Sequence, residues 1–278
     1  MSDPVLKTVR ANGTDVTYAE AGTGEPVVLV HGSLSDYRYW TLQMRPLAAR
    51  FRVIAPSLRH YYPEKWDGVG DDFNIDQHRK DVVALIDALG VGPAHVVGHS
   101  RGGHIAFRIA QHHPDHVRRL VLSEPGGGLD PDLSPLAAEV NRRFEPGSFQ
   151  TQAEALIRAG DVDGGLRIFL DAVSGPGSWD RTPPIAQQFT RDNATTLLGQ
   201  IHETRQPFSQ DAAAAIRAKT LLVLGGDSPP MFGQIIDALM SAIADSQKIV
   251  IPGASHTMNV TKPALYNQAV LGFLGAPG

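Results

Sequence analysis

The segment Gly98-His99-Ser100-Arg101-Gly102 constrains the fold of this chain most, because a Gly-x-Ser-x-Gly pattern stands between two different apolar periodicities. Val96 and Val97 precede it as a strand-like run. The apolar positions after it have helical spacing: Ile105, Ala106, Ile109 and Ala110. A strand that turns sharply into a helix holds the serine in a strained backbone conformation, and the flanking glycines lack the Cβ atoms that would collide. The pattern predicts an exposed Ser100 beside the positive end of a helix.

Three fixed positions occur by chance in a chain with 28 glycines, so an ordinary turn with an inert serine is the alternative. A catalytic serine also needs a base, an acid and donors for an oxyanion, and the rest of the chain must supply them.

Composition limits the classes of partner. The 278 residues are 42% hydrophobic and 19% charged, which fits one domain with an insertion. The net charge is −4 with interspersed signs, so no nucleic-acid partner is expected. The chain has no cysteine, which excludes disulfides, thiolate metal sites and a cysteine nucleophile. The first residues lack a leader pattern and no segment has the length of a membrane span, so we expect a cytoplasmic protein without a membrane partner.

Strand and helix patterns alternate along most of the chain. A hairpin is predicted around Asn12-Gly13, and apolar strands are predicted at 27–30, 52–56, 94–97, 117–125, 220–224 and 248–251. The alternation predicts an α/β fold with a mostly parallel central sheet flanked by helices. From 126 to 209 strand signals stop and helix patterns take over. We therefore predict a core of residues 1–125 and 210–278 with a helical cap at 126–209.

Three reactive residue types follow separate predicted strands, in the order Ser100, Asp227, His256. With His31-Gly32, Gly98-His99-Ser100-Arg101-Gly102-Gly103 and Gly253-Ala254-Ser255-His256, the chain resembles the α/β-hydrolase fold superfamily, serine-nucleophile branch. The resemblance spans the chain outside the cap. It implies His256 as the base and Asp227 as the residue that orients it.

The oxyanion hole is predicted from backbone geometry. A glycine just past a buried strand lets the chain turn its N–H groups toward a ligand, so the amides of Ser33 and Arg101 are the expected donors. The side chain of His31 is interpreted as a packing group that fixes this loop. His99 and His104 are also interpreted as structural, and the Arg101 side chain has two open roles: a substrate carboxylate or an acid of the cap.

Two acids compete for the orienting role. Glu124 also ends a strand, at a position where some members of the superfamily place the acid, and Asp227 is preferred. Glu124 is then expected at the cap junction or in contact with substrate. Tyr61, Tyr62 and Trp66 lie in a long loop after the strand 52–56. They are predicted to line the substrate pocket, with packing against one another as the equal alternative.

These residues predict a hydrolase that cleaves a carboxylic ester of a small to medium, fairly apolar substrate. A serine at the apex argues against the haloalkane-dehalogenase and epoxide-hydrolase branches, which need a carboxylate there. Lactonase and carbon-carbon bond hydrolase activities are the alternatives. The same residues also serve perhydrolases, cofactor-free oxygenases and lyases, so these chemistries stay open. A non-catalytic ligand receptor is the alternative outside the enzymes. No metal or organic cofactor is implied. The expected partner is a small-molecule substrate, and the chain is expected to be a monomer or homodimer.

Overall fold

Apolar runs of six or seven residues form the parallel part of one sheet in the computed structural model, which describes residues 4–276. The strands are β1 (Val5–Ala11), β2 (Thr14–Ala21), β3 (Glu25–Val30), β4 (Phe51–Pro56), β5 (Ala94–His99), β6 (Val117–Ser123), β7 (Lys219–Gly225) and β8 (Ser246–Ile251). Their spatial order is β1-β2-β4-β3-β5-β6-β7-β8. The predicted fold class is confirmed. Residues 1–3 and 277–278, at the two ends of the predicted core, lie outside the described residues.

The edge hairpin forms where it was predicted. Asn12 and Gly13 have φ angles of 44° and 74°, the left-handed conformation that a two-residue hairpin turn needs. Strand β2 then pairs antiparallel with β4, and all later neighbours in the sheet are parallel. The carboxyl ends of β3 and β5 to β8 therefore meet at one edge of the sheet.

Helices cover both faces of the sheet. Those before the end of β6 are α1 (Thr41–Ala48), α2 (Ile75–Ala88) and α3 (Arg101–His112). Between β6 and β7 lie α4 (Ala137–Asn141), α5 (Phe149–Arg158), α6 (Val162–Ser174), α7 (Ser178–Arg181), α8 (Pro184–Arg191), α9 (Thr196–His202) and α10 (Gln210–Ala214). The last are α11 (Pro230–Ala242), α12 (Met258–Thr261) and α13 (Pro263–Leu274). We call residues 126–209 the helical insert.

Strand β3 shows why the sequence reads as a continuous apolar run. Val28 and Val30 pack into a cluster with residues of α2 and α3, whereas Val27 and Leu29 pack into a second cluster with residues of α1 and α13. All four side chains are fully buried. A strand covered on both faces cannot alternate polar and apolar residues.

The helical insert has its own apolar cluster. Leu166, Trp179 and Leu197 of the insert pack there with Leu34 and Phe232, which belong to loops and helices of the sheet domain. Burial of these side chains joins the insert to the carboxyl end of the sheet.

Two local predictions differ from the structure. The apolar pattern from Ile185 to His202 predicts one helix, but the structure divides this segment into α8 and α9, because the side chain of the buried Asn193 between them bonds distant parts of the chain. Its Nδ2 donates to Asp36 Oδ2 at 2.7 Å and its Oδ1 accepts from the Tyr62 amide at 2.8 Å. Asp76 precedes an apolar helical pattern and is predicted from the sequence to cap helix α2, but the structure places the cap at Asn74, whose Oδ1 accepts from the Gln77 amide at 2.8 Å.

No helix among the described residues is both long and apolar enough to cross a membrane.

The turn between β5 and α3 tolerates no side chain at its glycines. A Cβ on Gly98 would lie 2.3 Å from the Gly102 carbonyl oxygen and 2.7 Å from the Ala106 Cβ. A Cβ on Gly102 would lie 2.2 Å from the Val30 carbonyl oxygen. These distances are far below van der Waals contact, so the close approach of β3, β5 and α3 requires both glycines.

We expect Gly98→Ala to lower the free energy of unfolding by about 3 kcal/mol or more, because backbone atoms must shift. Gly272→Ala is the matched control: Gly272 lies in α13, and a Cβ there would meet nothing within 4 Å. That change should be neutral or stabilise by about 0.5 kcal/mol through helix propensity. Urea unfolding followed by circular dichroism measures both, and equal effects would contradict the steric argument.

Candidate active site

Ser100 stands at the turn between β5 and α3 with φ 53° and ψ −119°, a conformation that non-glycine residues rarely adopt. Its own backbone bonds hold it there. The Ser100 amide donates to the Ser123 carbonyl at 3.0 Å, and its carbonyl accepts from the Gly126 amide at 2.8 Å. The strained turn is thus tied to the end of β6 on both sides.

His256 lies beside this turn in the loop after β8. Its ring stacks on Phe232 with centroids 4.2 Å apart and contacts the ring of His99, the residue before Ser100, at 4.6 Å. The His256 carbonyl accepts a 2.8 Å hydrogen bond from His99 Nε2. The side chain is 5% exposed, so its orientation is set by these contacts.

Glu124 supplies the carboxylate that His256 contacts. Its Oε2 lies 2.6 Å from His256 Nδ1, and its Oε1 accepts from the Gly225 amide at 2.7 Å and from Ser228 Oγ at 2.5 Å. The side chain is fully buried, and its backbone φ is 43°. Three donors replace the water that this carboxylate loses on burial.

Asp227 does not reach His256 in the structure, which corrects the preferred choice of acid. It is exposed, its amide donates to the Ala254 carbonyl at 2.9 Å, and its carboxylate bonds no group in the described part of the chain. Glu124 therefore takes the position assigned to Asp227. The expected contact of Glu124 with substrate is corrected as well, since both carboxylate oxygens are engaged with the protein.

The backbone that follows β3 passes directly over Ser100. A Cβ on Gly32 would lie 3.0 Å from the Ser100 Cβ. Within the described part of the chain the amides of Ser33 and Arg101 donate to no other group. The Ser33 hydroxyl donates to Gln200 Oε1 of the insert at 2.6 Å. Both amides are therefore available near Ser100, as an oxyanion hole requires.

His31 holds this loop through both ring nitrogens, in agreement with its interpretation as a packing group. Nδ1 donates to the Gly32 carbonyl at 2.8 Å, and Nε2 accepts from the Leu58 amide at 3.0 Å. Burial lowers the pKa of His31 from 6.5 to about 4. The ring is therefore neutral at pH 7, as its acceptor nitrogen requires.

His104 is a structural residue of the same kind. Its Nδ1 donates to the Gly126 carbonyl at 3.0 Å, and its Nε2 accepts from Arg108 Nε at 3.2 Å. Burial holds the pKa values of His99 and His104 well below 6.5. Neither ring is positioned to exchange a proton with Ser100.

The Arg101 side chain pairs with an acid of the insert, one of its two open roles. Its Nη2 lies 2.8 Å from Glu203 Oε2, its Nη1 contacts Glu203 Oε1, and both side chains are fully buried. Glu203 also accepts from Arg205 Nε at 2.5 Å. Burial opposes the charge of Glu203, yet the two arginines keep its pKa below the usual value. Sequence reasoning had no signal for Glu203, which precedes no motif and ends no strand.

The aromatic residues in the loop after β4 pack against other residues of the protein. Tyr61 is 1% exposed and contacts the His31 ring at 4.8 Å. The Tyr62 ring lies 3.7 Å beneath the guanidinium of Arg38, and Trp66 stacks on His60 at 4.5 Å. The three rings thus pack against other residues of the protein, and none of them lines the cavity described below. The geometry does not support the prediction that Tyr61, Tyr62 and Trp66 line a substrate pocket.

A cavity of about 310 Å³ lies under the insert. Its walls come from the start of the insert, from α5 and from the end of α9: Gly128, Asn141, Phe144, Ser148, Gln150, Thr151, Gln200, Ile201, Glu203, Arg205 and Pro207. Most of the lining residues are polar in type, but polar and apolar atoms contribute about equally to the surface of the wall. Gln200 connects the cavity to the loop over Ser100, because its Oε1 bonds the Ser33 hydroxyl.

Known proteins are similar to this chain over a region that includes Ser100, Glu124 and His256. Residues 25–263 match the sequence profile described as alpha/beta hydrolase fold. AB hydrolase superfamily protein YfhM of Bacillus subtilis (strain 168) is 36% identical in an alignment 281 positions long that covers 96% of each chain. Soluble epoxide hydrolase of Corynebacterium sp. (strain C12) is 36% identical over 169 residues, 57% of this chain and 56% of that protein. This chain thus spans about half the length of that relative. A solved esterase from Thermogutta terrifontis is 27% identical, with TM-score 0.71 and 98% of each chain covered.

The buried neutral histidines predict a stability that falls with acid. The pKa of His31 is about 4 when folded and 6.5 when unfolded, so the unfolded chain binds the proton first as pH falls below 6.5. Stability is unaffected above that pH and is lost between 6.5 and 4. His31 alone should cost about 2 kcal/mol of unfolding free energy at pH 5 relative to pH 7.5.

Urea unfolding at pH 7.5 and pH 5 measures this difference. His31→Gln should reduce it, whereas His202→Gln, at an exposed position at the end of α9, should leave it unchanged. The same pH dependence in all three proteins would contradict the assignment to His31.

Proposed function

Because the chain belongs to the α/β-hydrolase fold family, we propose that it is a serine hydrolase that cleaves carboxylic esters through an acyl-enzyme on Ser100. The observation that carries the proposal is the 2.6 Å contact between His256 and the buried Glu124, placed beside a serine in a strained turn. A nucleophile, a base and an acid on neighbouring elements form the arrangement that acyl transfer needs.

In the first step Ser100 Oγ attacks the ester carbonyl carbon while His256 Nε2 takes the hydroxyl proton. Nε2 makes no hydrogen bond with any of residues 4–276, so it is free for this transfer. The tetrahedral intermediate collapses, the carbon–oxygen bond to the alcohol breaks, and His256 gives its proton to the leaving oxygen. Water then adds to the acyl-enzyme with His256 again as base, and releases the acid and the free serine.

Glu124 acts on this cycle through His256. With Nδ1–H donated to Glu124 Oε2, the imidazole keeps Nε2 unprotonated and directed away from the carboxylate. The negative charge of Glu124 stabilises the imidazolium that each step forms. The Gly225 and Ser228 donors hold the carboxylate in place.

The amides of Ser33 and Arg101 are the proposed donors to the oxyanion. The Arg101 amide is the first of helix α3, so it also carries the positive end of the helix dipole. A donor of this kind contributes about 3 kcal/mol of transition-state stabilisation.

The nucleophile separates this chain from epoxide hydrolysis, although one relative is a soluble epoxide hydrolase. Opening an epoxide through an alkyl-enzyme ester needs a carboxylate where this chain has Ser100. Linear and cyclic carboxylic esters react by the same acyl chemistry, so the proposal includes lactones. Polar side chains in the cavity wall, such as Gln150 and Gln200, suit a substrate with hydrogen-bonding groups, and the apolar part of the wall suits the fairly apolar substrate that the sequence predicts.

We expect the protein to hydrolyse short p-nitrophenyl esters, and Ser100→Ala to reduce kcat at least about 1000-fold because the nucleophile is lost. A fluorophosphonate probe should label Ser100, as mass spectrometry of peptides would show. Ser241→Ala, at an exposed position in α11, is the matched control and should keep wild-type activity. Equal activity in Ser100→Ala, or labelling elsewhere, would exclude the nucleophile, and absence of turnover with intact folding would favour a ligand receptor.

The choice of acid is tested by two isosteric changes. Glu124→Gln should lower kcat about 1000-fold or more, because the neutral amide cannot stabilise the imidazolium. The Gly225 and Ser228 donors would also hold the amide oxygen, which leaves its NH2 group facing Nδ1 and favours the wrong tautomer of His256. Asp227→Asn should change kcat less than about threefold, since this exposed side chain is remote from the reaction. Steady-state kinetics with p-nitrophenyl acetate measure both, with circular dichroism to verify folding. A larger loss of kcat in Asp227→Asn than in Glu124→Gln would show that Asp227, and not Glu124, orients His256.

A further inference from the structure

Positive charge exceeds negative charge around the cavity under the insert. Three arginines approach it: Arg101 from helix α3, Arg143 after α4, and Arg205 after α9. The one carboxylate bonded to any of them in the described structure is Glu203, which is shared by Arg101 and Arg205. One glutamate therefore balances one of three guanidinium charges.

Arg143 is the least compensated of these cations. Its Nη2 donates to the Gly127 carbonyl and its Nη1 lies 3.2 Å from the sulfur of Met231, while its buried Nε has no partner in the described chain. The acid on the preceding helix, Glu139, accepts instead from Gln234 at 3.0 Å. Burial and then the charge of Arg205 lower the pKa of the Arg143 guanidinium, as expected of a cation that lacks a carboxylate.

Arg205 borders the cavity itself. Its Nε donates to Glu203 Oε1, its Nη2 lies 2.5 Å from the same oxygen but makes no hydrogen bond, and its Nη1 bonds no group in the described structure. Arg143 lies beside the same wall. It bonds the carbonyl of Gly127, which precedes the lining residue Gly128, and the next residue in the chain, Phe144, belongs to the lining. Two guanidinium groups thus have donors to spare at one end of the cavity.

The other side of this region leads to the reacting groups. The Arg143 guanidinium lies 5.9 Å from the Phe232 ring centroid, and that ring stacks on His256 at 4.2 Å. Gln200 connects the cavity wall to Ser33. The cavity wall is thus bonded to the loop over Ser100, and one aromatic ring separates Arg143 from His256.

From this arrangement we infer that the cavity is a subsite for a carboxylate group, and that the preferred substrates are anionic esters or lactones whose free carboxylate is bound by Arg143 and Arg205. A guanidinium binds a carboxylate through parallel N–H donors, and a buried site strengthens such bonds. The substrate class rests on the proposed ester hydrolysis, whereas binding of the carboxylate does not.

Paired esters test the preference. The wild type should hydrolyse p-nitrophenyl hemisuccinate with a higher kcat/KM than p-nitrophenyl pentanoate, a neutral ester of similar length. Arg143→Met should lower kcat/KM for the hemisuccinate about 30-fold and for the pentanoate less than about threefold. Arg143→Lys should recover part of the loss because it keeps the charge. Arg142→Met is the matched control. Arg142 is the residue next to Arg143, and its exposed side chain has no bonded partner in the described structure.

Binding without turnover separates this inference from the proposed function. In calorimetry, Ser100→Ala should bind monomethyl glutarate more tightly than dimethyl glutarate, and adding Arg143→Met should weaken only the first, about 30-fold. Such binding without hydrolysis of any ester would overturn the proposed function and leave the subsite intact. Ester hydrolysis with no preference for the anionic ester, and no binding of monomethyl glutarate, would overturn the subsite alone.

Discussion

The close approach of three backbone segments at the turn that carries Ser100 determines the rest of this structure. The Val30 carbonyl oxygen of β3 lies 2.2 Å from the place a Cβ on Gly102 would occupy, and Gly98 is equally crowded. Only at that separation can the loop after β3 lie over Ser100 while α3 starts directly beneath it. The strain at Ser100 is compensated by its backbone bonds to Ser123 and Gly126.

Much of this could be predicted from sequence because the sheet domain follows local rules. Apolar runs with turn residues between them specified the parallel strands, and Gly-x-Ser-x-Gly located the turn. The acid could not be chosen in this way, since Glu124 and Asp227 both follow apolar strands. What distinguishes them is three-dimensional: the amide of Gly225 and the hydroxyl of Ser228 converge on Glu124 from the next strand.

The helical insert was harder to predict because its contacts are non-local. Asn193 interrupts a helical pattern to bond Asp36 and the Tyr62 amide, both more than 100 residues away. Aromatic residues in a loop can contact a ligand as readily as they pack within the protein, so the sequence does not distinguish the two. In the structure Tyr61, Tyr62 and Trp66 pack within the protein. Glu203 had no pattern around it, yet it pairs with the residue after the serine.

That pair has a consequence for how the insert is held on the sheet domain. Arg101 belongs to the helix that carries the serine, and Glu203 belongs to the far end of the insert, so the two are joined without solvent. Removing one partner of such a buried pair costs about 3–5 kcal/mol of folding free energy, because the other charge is left uncompensated. The last segment of the insert, 203–205, is therefore anchored to the helix that begins directly after Ser100, so one ion pair fixes the insert and the serine relative to each other.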